Sequence, residues 1–156
     1  MKEIRIEQLS GKNFDEFARM ICIFADFEKL KAPDENAKRR LKSDGIGKNK
    51  KYGAYLAKVN KKYAGFTIFT MAYGSFSAMP RMFVEDIFLL EEFRGKGVGK
   101  EILDFIIGIA RKRKCGAIDL NVLDWNQNAM GFYKKNGFEH MNWELYRLEL
   151  KTPEVK

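Results

Sequence analysis

Three stretches carry residues whose types and spacing can do chemistry. The first is Met82-Phe83-Val84-Glu85-Asp86-Ile87-Phe88-Leu89-Leu90, an apolar run broken by two adjacent acids. A carboxylate inside a buried strand is costly unless it is paired or opens into a cleft. Beside an amine it can take up a proton directly or through a water. The second stretch is Arg94-Gly95-Lys96-Gly97-Val98-Gly99-Lys100. Its glycines permit a sharp turn that exposes several N–H groups, which together with a helix N-terminus make a receptor for phosphate oxygens. Arg94, Lys96 and Lys100 surround that turn with positive charge. The third is Trp125-Asn126, followed by Phe132-Tyr133-Lys134-Lys135-Asn136-Gly137-Phe138, which places a phenol on a short helix closed by glycine.

Two familiar phosphate loops do not fit. A nucleoside-triphosphate loop needs Gly-x-x-x-x-Gly-Lys-Ser/Thr, whereas counting back from Gly99-Lys100 puts Arg94 at the first glycine and Glu101 where a hydroxyl belongs. A dinucleotide fingerprint starting at Gly95 and Gly97 would need its third glycine at Lys100. A zinc site is excluded too, because Cys22, Cys115 and the single histidine, His140, cannot assemble one. Cys22 flanks an apolar helix face, Cys115 falls at a helix C-terminus that disfavours a thiolate, and His140 has no matching nucleophile.

The elements that must hold these stretches follow from hydrophobic periodicity. Ile4 and Ile6 mark a first strand. Phe14, Phe17, Ala18, Ile21, Phe24 and Ala25 recur at helical spacing from about Asn13. Pro33-Asp34-Glu35 starts a second, polar helix that ends at Asp44-Gly45-Ile46-Gly47. Residues 52–59 and 63–73 read as a hairpin turning at Asn60-Lys61-Lys62, with a bulge at Gly65, and 74–80 as a loop. The acid-bearing run 82–90 is a strand, and residues 97–114 an amphipathic helix stopped by Gly116. Residues 117–123 form a strand, 126–136 a helix, and 138–150 the last strand or strands. The order β-α-α-β-β-β-α-β-α-β predicts an α/β fold, a mixed sheet with helices on both faces, in a single domain over 1–156.

Composition sets the outer limits. The chain has 156 residues, 46% of them hydrophobic and 13% aromatic, which suits one globular core and rules out a disordered chain. Two cysteines suit a reducing, cytoplasmic setting. No N-terminal leader or stretch of ~20 apolar residues is visible, so no membrane partner is expected. The formal charge of +8 alone fits nucleic acid, a phosphate-bearing cofactor or an acidic surface. Arg39-Arg40, Lys48 to Lys51 and Arg111 to Lys114 would favour a basic nucleic-acid module, but they are scattered over different elements and lack interleaved aromatics. No nucleic-acid partner is expected.

The pattern Arg94-x-x-Gly97-x-Gly99, followed by Asn126 and Phe132-Tyr133-x-x-x-Gly137-Phe138, resembles the GCN5-related N-acetyltransferases (GNAT). Within them, Glu85-Asp86-Ile87-Phe88, Asp124-Trp125-Asn126, Asp26-Phe27-Glu28 and Leu41-Lys42-Ser43-Asp44-Gly45-Ile46-Gly47 look most like the spermidine/spermine and thialysine acetyltransferases. The resemblance covers most of residues 4–150 and is loose from Glu139 onward. It implies a central, mostly antiparallel sheet splayed to form a cofactor cleft, with acetyl-CoA as donor. Ile87, Phe88 and Leu89 would bond the pantetheine arm. Arg94, Gly95, Lys96, Gly97, Val98, Gly99 and Lys100 would hold the pyrophosphate, with Asn126 and Ala129 on the other side. Tyr133 is the implied acid for the departing sulfur. Glu85 is the candidate base; in a regular strand Asp86 points to the opposite face, and a bulge would decide which acid meets the cleft. Phe27, Glu28, Glu85 and Asp86 are the candidate substrate contacts. The acceptor is a primary amine of a small molecule, such as a polyamine or thialysine, with a protein N-terminus as the alternative. The net charge repels a polycation at long range while drawing in the anionic coenzyme. No metal is implied, and a homodimer is.

Overall fold

A computed structural model describes residues 3–150. The chain packs as two compact units, one ending at Asn121 and the other beginning at Val122.

In the first unit, β1 (Ile4–Gln8), α1 (Phe14–Phe27), α2 (Glu35–Ile46), β2 (Gly53–Val59), β3 (Lys62–Gly74), β4 (Met79–Leu89), α3 (Val98–Lys112) and β5 (Ala117–Leu120) follow in chain order. The strands lie in the order β1-β2-β3-β4-β5, antiparallel from β1 to β4 and parallel between β4 and β5. This is the expected mixed open sheet. Asn60 and Lys61 both take positive φ between β2 and β3, the conformation a tight hairpin turn requires. The bulge expected at Gly65 falls one residue earlier, since Gly65 pairs with Ala57 while Tyr63 pairs with Lys58. Gly65 has a different reason to be glycine: a Cβ there would collide with the Phe88 carbonyl oxygen. β4 starts at Met79, inside the segment expected to be a loop.

Helices cover both faces. Phe14, Phe17, Ala18 and Met20 of α1 pack with Leu56, Phe66, Ile68 and Phe88 on one side. On the other, Val98, Ile102, Ile106 and Ala110 of α3 pack against Ala57, Val59, Ala64, Phe69, Met82 and Val84. α3 ends at Lys112, and the left-handed turn that closes it falls on Lys114, at φ +57°, rather than on Gly116; the Cys115 N–H closes back on the Ala110 carbonyl at 3.0 Å.

The second unit contains α4 (Gln127–Lys135), whose N-terminus Asn126 caps by accepting the Ala129 N–H at 3.1 Å. The strands expected over 138–150 are not formed among the described residues: no regular element follows α4, and Trp143, Leu148 and Leu150 are 76%, 82% and 80% exposed. Alternating apolar side chains establish a preference for extended backbone, but a strand exists only once a neighbour supplies the ladder. No helix among the described residues is long and apolar enough to cross a membrane.

Candidate active site

Register decides how the acids of β4 are displayed. Val84 pairs with Phe69 and Asp86 with Ile68, so Glu85 is an extra residue on β4 with no opposite number. That is a β-bulge, and it reverses which side chains face which layer. Before it, Met82 and Val84 face α3. After it, Ile87 and Leu89 face α3, and Phe88 faces α1. Asp86 therefore shares the α1 face with Phe88, and Glu85 is exposed at the bulge.

The environment of Asp86 is unusual for a carboxylate. Burial chiefly, then the neighbouring charges of Glu28 and Glu85, push it up to about 7. Burial also raises Glu28, which caps the C-terminus of α1. None of the ion pairs among the described residues involves Glu28, Glu85 or Asp86. Three carboxylates thus influence one another with no ion pair to any of them among the described residues. The link from Glu28 to Asp86 joins α1 to β4, elements far apart in sequence, and no local spacing could have revealed it.

The bulge also coincides with the end of β5. β5 pairs with Arg81 to Val84 and stops at Leu120, while β4 runs on to Leu89. The Leu90 N–H bonds the Ala64 carbonyl, so the alternation of an antiparallel ladder turns the main-chain groups of Phe88 toward β3 and those of Ile87 and Leu89 toward the uncovered edge. The Leu89 carbonyl accepts from Arg94 Nε at 3.0 Å on that side. The Arg94 guanidinium meanwhile lies over the rings of Phe27, at 4.6 Å, and Phe88, at 5.7 Å. Sequence reasoning had assigned Arg94 only to phosphate; its aromatic seat is new.

The glycine turn leads directly into α3, with Gly97 as N-cap. Gly95 and Gly97 take φ of +68° and +84°, and a Cβ on either would meet no atom within 4 Å. The loop backbone is therefore open to an approaching group, at the end of a helix whose first N–H groups have no carbonyl behind them. An anionic pyrophosphate fits that arrangement. The surrounding lysines are engaged locally: Lys100 pairs with Asp104, one turn on, and Lys96 donates to the Glu92 carbonyl.

In the second unit, Tyr133 is half-buried near the end of α4, with its ring edge-on to those of Phe132, at 5.3 Å, and Phe138, at 5.5 Å. Asn126 uses its Oδ1 to hold the Ala129 N–H. No cluster of potential metal ligands occurs among the described residues, and Cys22 and Cys115 are free, half-buried thiols.

Comparison with known proteins agrees with this geometry. The chain is similar to the thialysine N-epsilon-acetyltransferase of Mus musculus, 26% identical over 96% of this chain and 94% of the relative. It is 41% identical over 86 residues, 54% of this chain and 38% of the relative, to the L-ornithine N5-acetyltransferase of Arabidopsis thaliana. An aminoglycoside N-acetyltransferase, AAC(6')-Iy, solved in complex with CoA, superposes with a TM-score of 0.79 at 15% identity over 96% of both chains. The model of the acetyltransferase (GNAT) family matches residues 17–138, and the chain belongs to that family of N-acetyltransferases.

Proposed function

We propose that the chain transfers acetyl from acetyl-CoA directly to a primary amine of a small molecule carrying at least one cationic amine, in the range of thialysine, ornithine and the polyamines. The observation that carries this reading is the trio of half-buried Glu28 and Asp86 with exposed Glu85, in which the two glutamates help raise the pKa of Asp86 and which no ion pair among the described residues engages. A protonated amine supplies the missing counter-charge. Relatives that act on thialysine and ornithine support the same class.

An aliphatic ammonium with a pKa of about 10.4 must lose a proton before it can attack. Asp86, held near neutrality, accepts that proton, and Glu28 and Glu85 keep the remaining positive charge of the substrate in place. The uncovered main chain of Ile87 and Leu89 offers a strand-like edge for the pantetheine arm beside Phe88. The loop Arg94-Gly95-Lys96-Gly97-Val98-Gly99-Lys100 receives the pyrophosphate. In the second unit, the family resemblance assigns Asn126 and Ala129 to cofactor contacts and the Tyr133 hydroxyl to the proton needed by the leaving thiolate. The coenzyme supplies an activated acetyl thioester. Phe27 offers an apolar wall for the substrate chain. The two free thiols suit a reducing cytoplasm, and the working form is a homodimer.

The test is Glu28→Gln in steady-state kinetics. A rise of roughly 10-fold in KM for a diamine, with KM for acetyl-CoA unchanged, supports the substrate reading; unchanged amine KM overturns the assignment of Glu28.

A further inference from the structure

In a chain whose residues are 32% charged, nothing from Tyr63 to Pro80 bears a charge, the longest such run in the sequence. Part of it is core: Ala64, Phe66, Ile68 and Phe69 are buried. The rest is not. From Met71 to Met79 the β3–β4 hairpin is exposed, with Tyr73 at 65% and Phe76 at 107%. Unpaired strand edges are ordinarily blunted with lysine, proline or inward charge, and Thr70 to Gly74 of β3 have none of those.

Its outer edge is also unpaired among the described residues. The β2 ladder ends at Gly53 opposite Phe69, so Thr70 to Gly74 pair with β4 alone. Tyr73 stands opposite Pro80, which has no N–H to give and whose carbonyl accepts from Gly116 on the β5 side. That pair is of the non-bonded kind. The alternation of the ladder then turns the N–H and C=O groups of Met71 and Tyr73 outward, away from β4.

We infer that this edge is where the homodimer proposed above forms, with β3 of one copy pairing antiparallel to β3 of the other about a two-fold axis at Ala72. The surface assignment rests on that dimer reading and adds the place to it. A two-fold at Ala72 sets Met71 opposite the partner's Tyr73 and Tyr73 opposite the partner's Met71, each pair exchanging both N–H···O bonds. Ala72 meets its own copy at the axis, in a non-bonded pair where strands come closest and a small side chain is required. Thioether and phenol rings become cross-strand neighbours. Charge selects a second copy over other occupants. Two molecules each at +8 repel wherever their lysines and arginines face, and the uncharged hairpin adds no charge of its own to that repulsion. An acidic partner would instead be drawn to the basic surfaces.

The experiment is mass measurement by sedimentation equilibrium on the full chain, Ala72→Lys, Ala72→Glu and an equimolar mixture of the two variants. Ala72 is exposed, and circular dichroism with thermal melting verifies that each variant is folded. The expected result is twice the 18.1 kDa chain mass for the unmodified protein and loss of the dimer in each single variant, where like charges meet at the axis. In the mixture, the opposite charges introduced by the two substitutions face each other across the axis, and the doubled mass should return only if the axis lies there. An unmodified protein at single-chain mass overturns the dimer and the surface together, leaving the edge to a foreign strand. A dimer that persists in both single variants overturns the surface alone and leaves the dimer reading standing.

Discussion

Asp86 stands opposite Ile68 across the β3–β4 ladder, whereas Val84 stands opposite Phe69. The unmatched residue between them, Glu85, bends the display of β4 so that Asp86 joins Phe88 on the α1 face. β5 stops at the same level, with Leu120 opposite Val84. One irregularity therefore places an acid among Glu28, Glu85 and the aromatic side chains and coincides with the point where the main-chain edge beyond it is uncovered.

Asp86 should make the protein's stability fall with pH. Its ordinary value is 3.8, and in the folded chain it is held up to about 7. Between those values the folded state keeps a proton that the unfolded state has lost, so stability contributed by this group is full below about pH 4, declines toward pH 7 and is flat above. Asp86→Asn removes the penalty and should stabilise the chain at pH 8 by up to roughly 4 kcal/mol. Urea unfolding of both proteins at pH 5 and pH 8 measures this; an equal offset at the two pH values would remove Asp86 as its source. The same substitution should flatten the rise of kcat/KM through neutral pH. Glu85→Gln should leave that rise in place, and a rise lost in Glu85→Gln instead would return the proton-accepting role to Glu85.

Gly97→Val should act mainly on the coenzyme. The left-handed backbone at φ +84 costs a branched residue roughly 1–2 kcal/mol or more. Its side chain would also rise into the open space over the loop. Calorimetric titration with CoA should show affinity lowered by about 10-fold or more, the equivalent of roughly 1.4 kcal/mol. Unchanged CoA binding would place the pyrophosphate elsewhere.

Tyr133→Phe keeps the ring that packs edge-on against Phe132 and Phe138 and removes only the hydroxyl. Turnover should fall by about 10²-fold or more, with CoA affinity and thermal stability retained. Turnover within twofold of the unmodified protein would take Tyr133 out of the reaction.

Much of this was legible in the sequence because it is written in local spacing. The apolar face of α1, the amphipathic α3 and the turn at Asn60-Lys61 are short-range patterns, and each appears where periodicity or turn chemistry placed it. The glycine loop was legible for the same reason. What local pattern did not reveal was pairing. Whether Glu85 or Asp86 faced α1 depended on a bulge set by β3, and the approach of Glu28 depended on how α1 lies over the sheet. The aromatic seat of Arg94 on Phe27 and Phe88 is likewise a tertiary contact. Over 138–150 the opposite error arose: Trp143 with Leu145, and Leu148 with Leu150, each show the two-residue spacing of a strand, yet among the described residues no neighbour pairs with them.

The most direct test of the central claim is release of free coenzyme A thiol from acetyl-CoA in the presence of a panel of amines: thialysine, ornithine, lysine, spermidine, monoamines and peptides with free N-termini. Thiol release with at least one small amine carrying a second cationic group, abolished or strongly reduced in Asp86→Asn, is the expected result. Release with peptides alone, or with no acceptor at all, would contradict it.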